Sequence, residues 1–193
     1  MGRPREFDDA KALDAAIQCF WHRGYEATSV RELSASMGIC GTSLYNAFGG
    51  KRALFVKALE HYLDQSTRER IRRLEATLPP RQAVRAFIHE IIERSLADRE
   101  RRGCFLINSA LEVAPHDSEL GAIIADRLGE IEDFFHRAIV AAQAAGDLSA
   151  TRDARDLARL LLGVLLGIRV LARAKPDRDL LESVARPALA LLD

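Results

Sequence analysis

The sequence predicts an all-α protein, and three observations support this fold class. Apolar residues recur at helical spacing in every segment that can be interpreted, and no segment shows the clean alternation of a strand. Glycine and proline number only 12 and 6 among 193 residues, whereas the helix-favouring residues alanine, leucine and arginine are plentiful. Several of the glycines and prolines stand between the periodic segments, where they end helices. We expect about nine helices.

Three short helices are expected at the N-terminal end. The first covers about residues 8–23 and the third about residues 42–48. Between them, Thr28 or Ser29 caps a second helix that ends at Gly38. The three helices together form a small unit.

A long fourth helix and five further helices follow. The fourth is expected from Lys51 to about Leu78, where Pro79 and Pro80 end it. The further helices are expected at about residues 84–95, 103–113, 117–146, 153–174 and 180–192. Pro187 is expected to bend or break the last of them. The chain therefore divides into a unit at residues 1–52 and a larger unit at residues 53–193.

Composition limits the classes of function. The 28 basic and 28 acidic side chains cancel, so a nucleic-acid partner must be argued from local charge. Cys19, Cys40 and Cys104 have neither disulfide nor zinc spacing, which favours a reducing cytoplasm. No signal peptide follows Met1, and the apolar run near Leu160 is too short to span a bilayer, so no membrane partner is expected. No nucleophile–base pair and no cluster of metal-ligating residues stands out in the sequence. We therefore expect that the protein is not an enzyme and that it binds neither a metal ion nor a cofactor.

The segment "TSVRELSASMGICGTSLYNAFGGKRALF" has the helix lengths and the intervening turn of a helix-turn-helix. A helix ends at Gly38, a short turn follows, and a second short helix begins. On the outer face of that second helix, Thr42, Ser43 and Asn46 can reach base edges and phosphates. No acidic residue lies within residues 33–59, whereas several are basic, so the local field is positive.

Lys51 and Arg52 open the fourth helix, although the helix macrodipole disfavours cations at that end. The free N–H groups of a helix N-terminus bind anions, so a lysine there is explained if a phosphate binds beside it. We predict that Lys51 contacts the DNA backbone and that the Tyr45 hydroxyl bonds a second phosphate. The alternative is that Lys51 and Arg52 are solvated and that Tyr45 belongs to the core.

These residues resemble the DNA-binding domain of the tetracycline-repressor (TetR/AcrR) family over about residues 10–62. The likeness rests on Gly24-Tyr25, Thr28-Ser29, Leu33, Gly38, Leu44-Tyr45, Phe48, Lys51, Leu54 and Phe55. The turn Ile39-Cys40-Gly41 departs from the family pattern, in which a basic or Ser-like residue precedes the second helix. The resemblance implies a homodimeric transcription regulator, usually a repressor, that binds double-stranded operator DNA and is released by a small-molecule effector. Residues 1–52 would then be the DNA-binding domain and residues 53–193 the ligand-binding and dimerisation domain.

The resemblance also assigns DNA contacts by position. They would come from Thr28, Ser29, Arg31, Thr42, Ser43, Tyr45, Asn46 and Lys51. Arg31 would reach a base edge, most simply a guanine, and its alternative role is a surface ion pair. Leu44 and Phe48 point inward and are assigned to the core.

The eighth helix is apolar almost all round, so it must be buried, and in a chain of this size its second apolar face suggests a partner. Gly163 and Gly167 permit another helix to approach closely. We expect this helix and the ninth to form a homodimer interface, as the resemblance also implies. The predicted interface residues are Leu157, Leu161, Val164, Leu165, Ile168, Leu181 and Val184. The alternative is an ordinary core helix.

Candidate effector contacts are polar or aromatic residues within otherwise apolar patterns. They are His89, Cys104, Phe105, Asn108, Phe134, Phe135 and Arg169, and each of them has core packing or capping as its alternative role. Cys104 opens the sixth helix after Arg101 and Arg102, a position where a cysteine can react as a thiolate. The motif is similar to that of a subgroup of the family in which some members sense electrophiles or oxidants through a cysteine. The alternative for Cys104 is a small buried hydrophobe, and a further alternative for the whole chain is a protein-interaction module without DNA binding.

Overall fold

The computed structural model describes residues 8–193, and no strand occurs in that range. Nine helices cover it: α1 Asp9–Arg23, α2 Val30–Met37, α3 Gly41–Phe48, α4 over residues 51–77, α5 Pro80–Ala97, α6 Phe105–Glu112, α7 Ser118–Ala144, α8 Ala154–Ala174 and α9 Arg178–Ala190. The predicted fold class is confirmed. The first seven residues of the predicted unit 1–52 lie outside the described residues.

Short polar side chains begin several of these helices. Ser29 and Glu32 form a capping box at the start of α2, in which each side chain accepts a hydrogen bond from the other residue's backbone N–H. Asp8, Asp117 and Asp153 cap α1, α7 and α8 by accepting from backbone N–H groups of the first turn. The carboxylates also lie at the positive end of each helix dipole, which adds to their stabilising effect.

The long helix α4 is interrupted by a π-helical stretch. It runs as α-helix over Lys51–Leu63, as π-helix over Asp64–Arg68 and again as α-helix over Glu69–Thr77. Ser66 Oγ donates to the Tyr62 carbonyl at 2.5 Å, so a side chain competes with the backbone hydrogen bonds of the regular helix. The sequence pattern predicted the continuous length of α4 but not this stretch.

Two groups of helices share α4. At one end, α1 packs against α2 and α4, and Phe20, Leu33, Leu44 and Phe55 are buried between them. At the other end, α5, α7, α8 and α9 pack around a second part of the core. Helix α6 contacts both α4 and α7, so it lies between the two groups.

Helix α9 continues through Pro187 as far as Ala190, so the residue does not break it. Within residues 8–193, no helix combines the length and apolar character that crossing a membrane would require.

Candidate DNA interface and ligand cavities

Helices α2 and α3 meet at a glycine turn. Gly38 adopts φ +67°, a left-handed conformation that residues with side chains rarely adopt, and it ends α2 before the turn that leads to α3. Leu33, Leu44 and Phe48 are almost wholly buried and anchor both helices to the rest of the unit. The core assignment of Leu44 and Phe48 is confirmed.

The outer face of α3 is exposed and polar. Tyr45 is 57% exposed, which excludes the alternative that it belongs to the core, and Thr42 and Asn46 are also exposed. Ser43 is half-buried, and its Oγ lies 3.1 Å from Cys40 Sγ. That hydrogen bond lowers the pKa of the exposed Cys40 thiol. Thr42, Tyr45 and Asn46 therefore form a solvent-facing surface on a firmly anchored helix.

Arg31 projects from the first turn of α2 and is exposed. The neighbouring acid, Glu32, is already bound by Arg23 and by Ser29. No acidic side chain pairs with Arg31 among residues 8–193, so the alternative role as a surface ion pair finds no partner there. Its guanidinium is free to reach another molecule.

Thr28 requires a correction. Its side chain is 1% exposed, and its hydroxyl donates to the Gly24 carbonyl at 2.6 Å. A phosphate therefore has no access to this hydroxyl, and Thr28 stabilises the turn before α2 instead. Ser29, next to it, is exposed and caps α2.

The two cations at the start of α4 have different partners. Lys51 Nζ lies 4.4 Å from the centroid of the Tyr25 ring and donates to the Glu26 carbonyl at 3.3 Å. Arg52 Nη2 lies 2.9 Å from a carboxylate oxygen of Asp117 and 2.9 Å from one of Glu119. Arg52 therefore connects α4 to the first turn of α7, and its guanidinium lowers the pKa of Asp117. Arg52 is a linking residue that the sequence analysis missed, because its partner is 65 positions away in the chain.

A cavity of about 340 Å³, cavity A, lies between α1, α4 and α6. Its lining includes Phe20, Trp21, Tyr25, Phe55, Phe105, Asn108, Glu112 and Arg173. The amide of Asn108 is fully engaged, since its Nδ2 donates to the Arg102 carbonyl and its Oδ1 accepts from Arg173. The aromatic residues of α1 and α4 around this cavity were missed, because their periodicity marks them simply as core.

A smaller cavity of about 210 Å³, cavity B, is lined by residues of α1, α5, α8 and the loop before α6. Its lining includes Trp21, Arg94, Asp98, Arg102, Gly103 and Arg169. Of the candidate effector contacts, Phe105 and Asn108 line cavity A, and Arg169 lines cavity B. Cys104 lies close by and is half-buried, and its Sγ accepts a hydrogen bond from the Tyr62 hydroxyl at 3.6 Å.

Comparison with known proteins decides the family. Residues 12–58 match the model of the bacterial regulatory proteins of the tetR family, and residues 80–188 match the tetracyclin repressor-like C-terminal domain. The chain belongs to the TetR family. An uncharacterized HTH-type transcriptional regulator of Bacillus subtilis, YezE, is 36% identical over the full length of both chains. The HTH-type transcriptional repressor ComR of Escherichia coli is 28% identical over 98% of this chain and 91% of its own.

A solved structure of similar fold was determined with DNA. It is a cysteine mutant of the TetR family regulator CifR, complexed with 26 bp double-strand operator DNA. It is 36% identical to this chain, with a TM-score of 0.87 over 97% of this chain and 98% of its own. This TetR family member is thus a DNA-binding transcription regulator with an all-α fold.

Three candidate effector contacts require correction. His89 is exposed on α5 and does not face the interior. Phe134 and Phe135 are 0% exposed and pack with Phe87, at ring-centroid distances of 5.3 and 5.5 Å from it. They line neither cavity A nor cavity B and belong to the core.

The predicted interface residues also require correction, because most of them face inward. Leu157, Leu161, Leu165, Ile168 and Leu181 are each at most 6% exposed within the single chain. The outer stripe of α8 consists of Leu160, Gly163, Val164, Gly167 and Val170. Leu160 and Val170 are 44% and 45% exposed. Of the predicted residues, only Val164 and, on α9, Val184 lie partly on the outside.

Among the described residues, no three histidine, cysteine or carboxylate side chains come together in an arrangement that could hold a metal ion.

Proposed function

We propose that this chain acts in the cytoplasm, by binding rather than by catalysis, as a homodimeric repressor of a palindromic operator. Arg31 and the α3 surface of Thr42, Tyr45 and Asn46 would read the major groove, while Ser29 and Lys51 would contact the backbone. The observation that carries this proposal is the exposed Arg31 of α2, which pairs with no acid among residues 8–193, together with the exposed polar face of α3. The operator complex of the similar regulator CifR supports it.

Selection of the purified protein on random duplex DNA, with sequencing of the bound sites, tests this proposal. We expect an enriched palindrome whose half-sites lie about one helical turn, or a multiple of it, apart. Binding should weaken steeply as salt increases, because phosphate contacts release counterions. Salt-insensitive binding without any enriched sequence would favour the protein-interaction module instead.

Arg31→Ala tests the direct readout of one base pair. We expect the selected motif to lose information at one position in each half-site, with about 1–3 kcal/mol of discrimination lost there. Arg137→Ala is the matched control, since Arg137 is an exposed arginine of α7 that pairs with Glu75. An unchanged motif for Arg31→Ala would remove this residue from base recognition.

Binding of the effector would release the operator DNA by moving α4. Arg52 joins the start of α4 to Asp117 and Glu119 of the C-terminal part. In a second contact, the Glu26 N–H donates to the Glu112 carboxylate at 3.2 Å. An effector that shifts α6 or α7 would thereby reposition α4 and the two recognition helices of a dimer. Linkage requires that the operator change the affinity for the effector by the same factor. Equal effector affinity with and without operator would contradict this mechanism.

Cysteine sensing is a second candidate mechanism, favoured by the hydrogen bond from Tyr62 to Cys104 Sγ. Because Tyr62 belongs to α4, a modification of the Cys104 sulfur would disturb a contact of that helix. Cys104→Ser should then abolish release of operator DNA by hydrogen peroxide and by N-ethylmaleimide. Cys19→Ser is the matched control, since Cys19 is also a half-buried free cysteine. Unchanged release by both reagents in the Cys104 variant would exclude this mechanism.

A further inference from the structure

Arg169 of α8 is a buried cation that pairs with no carboxylate among residues 8–193. Arg169 is 5% exposed. Its two terminal nitrogens donate to Ser95 Oγ and to the Gly103 carbonyl, each at 2.8 Å. Both partners are neutral. Its Nε is buried and has no hydrogen-bond partner, and no carboxylate of residues 8–193 lies within 4.0 Å of the guanidinium.

Such an arrangement is costly unless something else binds the charge. A buried ion loses its hydration, and only an opposite charge with good hydrogen bonds restores that free energy. Arginine cannot lose its proton in a protein, so it cannot avoid the cost by becoming neutral. The charge of Arg169 is therefore not compensated by any side chain of residues 8–193.

The walls of cavity B supply a place for an anion. Arg94, Arg102 and Arg169 contribute three guanidinium groups to its lining, against one carboxylate, Asp98. Asp98 is already engaged by Arg102 and by the Gly103 N–H. Burial by itself would raise the pKa of Asp98, but these two partners outweigh burial and lower it. Arg94, by contrast, is exposed and has no ion-pair partner among the described residues.

We propose that cavity B binds the carboxylate of a small organic acid, which pairs with Arg169 and Arg94 and acts as the effector of the regulator. The guanidinium fork matches a carboxylate with two parallel hydrogen bonds. The cavity volume of about 210 Å³ is below the usual range for drug-sized ligands, so the acid is small. The Trp21 ring, with Arg102 lying 4.9 Å from its centroid, offers an apolar wall to the rest of the molecule.

The position of cavity B explains how occupancy would affect DNA binding. Trp21 belongs to α1 of the DNA-binding part, whereas Arg94 and Arg169 belong to α5 and α8. An acid bound between them would contact both parts of the molecule at once, through its carboxylate on one side and its apolar portion on the other. This inference rests on the proposed function for its regulatory consequence but not for the binding site itself.

Trp21 is the only tryptophan of the chain, so its fluorescence reports directly on cavity B. We would titrate the DNA-free protein with formate, benzoate and octanoate, each beside its amide, at constant ionic strength. We expect at least one acid to quench Trp21 saturably and to raise the melting temperature, with its amide binding at least about tenfold more weakly, the difference of one charge-assisted contact. Equal responses to every acid and its amide would overturn the proposal.

Two variants locate the charge that binds the acid. Arg169→Met and Arg94→Met should each abolish most of the difference between acid and amide, whereas Arg137→Met should retain it. Arg94 makes no ion pair in the described chain, so its variant should fold even if Arg169→Met does not. An acid–amide difference that persists in Arg94→Met and in every folded Arg169 variant would also overturn the proposal.

The assay contains no DNA, so its outcome does not depend on whether an operator is found. Once the operator is known, the acid that binds should lower operator affinity in the wild-type protein and not in Arg94→Met. An acid that binds cavity B without changing operator affinity would overturn its role as effector.

Discussion

Neighbouring residues of the turn before α2 have opposite environments. Thr28 is buried and bonded to the Gly24 carbonyl, whereas Ser29 is exposed and caps α2. Both carry hydroxyl groups and both stand just before a helix, so the sequence alone could not separate a buried structural hydroxyl from an exposed one. The distinction depends on which hydroxyl the α1–α2 turn encloses.

Substitutions at these two positions should separate stability from DNA binding. Thr28→Val keeps the shape but leaves the Gly24 carbonyl without its partner, so we expect a loss of about 1–2 kcal/mol of unfolding free energy. Operator affinity of the folded protein should be unchanged. Ser29→Ala should cost about 1 kcal/mol through the lost cap and should also weaken operator binding. Urea unfolding and fluorescence anisotropy with labelled operator measure the two effects. A loss of operator affinity for Thr28→Val without a stability change would restore the phosphate contact to Thr28.

At the scale of the helix, α4 carries a charged network at its π-helical stretch. Arg68 donates to Glu130 of α7 through Nε and Nη2, each at 2.7 Å. Its Nη1 donates to Glu60 and Asp64 of its own helix at 2.8 and 3.0 Å. These contacts fix the orientation of α4 against α7 at the point where the helix is least regular. π-helical turns are frequent at functional positions, and this one lies on the expected route of effector coupling.

Replacing Arg68 should weaken the contact between α4 and α7. We expect Arg68→Met to cost about 2 kcal/mol, because three carboxylates lose their shared partner. The exposed pair Arg137–Glu75 provides the control, and Arg137→Met should cost about 0.5 kcal/mol or less.

The effect of Arg68→Met should also depend on pH. Arg68 lowers the pKa of Glu130 from its ordinary value of 4.5. The stabilisation of the folded state by the Arg68–Glu130 pair is therefore complete above pH 4.5. It disappears as the pH falls through the lowered pKa, where the Glu130 carboxylate takes up a proton. Thermal unfolding of both proteins between pH 7 and pH 3 measures the difference. A constant difference across that range would show that Arg68 acts through packing and not through charge.

Much of the fold, but less of the site, follows from the sequence. Apolar periodicity and helix caps are local signals, so the number, order and approximate ends of the helices were predictable. Apolar residues lie on nearly all sides of α8, so periodicity could not show which face belongs to the core. The leucines of α8 that were predicted to form the dimer interface proved to lie on the inner face. The partners of Arg52 and Arg169 lie 65 and 66 or more positions away, beyond any local pattern.

At the scale of the whole molecule, the outer stripe of α8 is the surface on which a homodimer would form. A two-fold dimer places two recognition helices on one palindrome, so dimerisation and operator affinity are linked. The glycines of the stripe are informative because a Cβ atom built at Gly163 or Gly167 meets nothing within 4 Å in the single chain. Their small size is therefore unnecessary for the fold of one chain, whereas the close approach of a partner helix would require it.

Gly167→Phe tests this surface without disturbing the isolated chain. A Cβ at this position meets nothing within 4 Å in the single chain, whereas a ring attached to it would separate two closely packed helices, so we expect a monomer at micromolar concentration. Operator affinity should fall by about a hundredfold or more, because the two half-sites would no longer be bound as one unit. Gly129→Phe on α7 is the matched control, since a Cβ there also meets nothing within 4 Å and the residue lies outside the stripe. Sedimentation equilibrium and operator titration measure the two quantities. A dimeric Gly167→Phe protein with normal operator affinity would move the interface away from the outer face of α8.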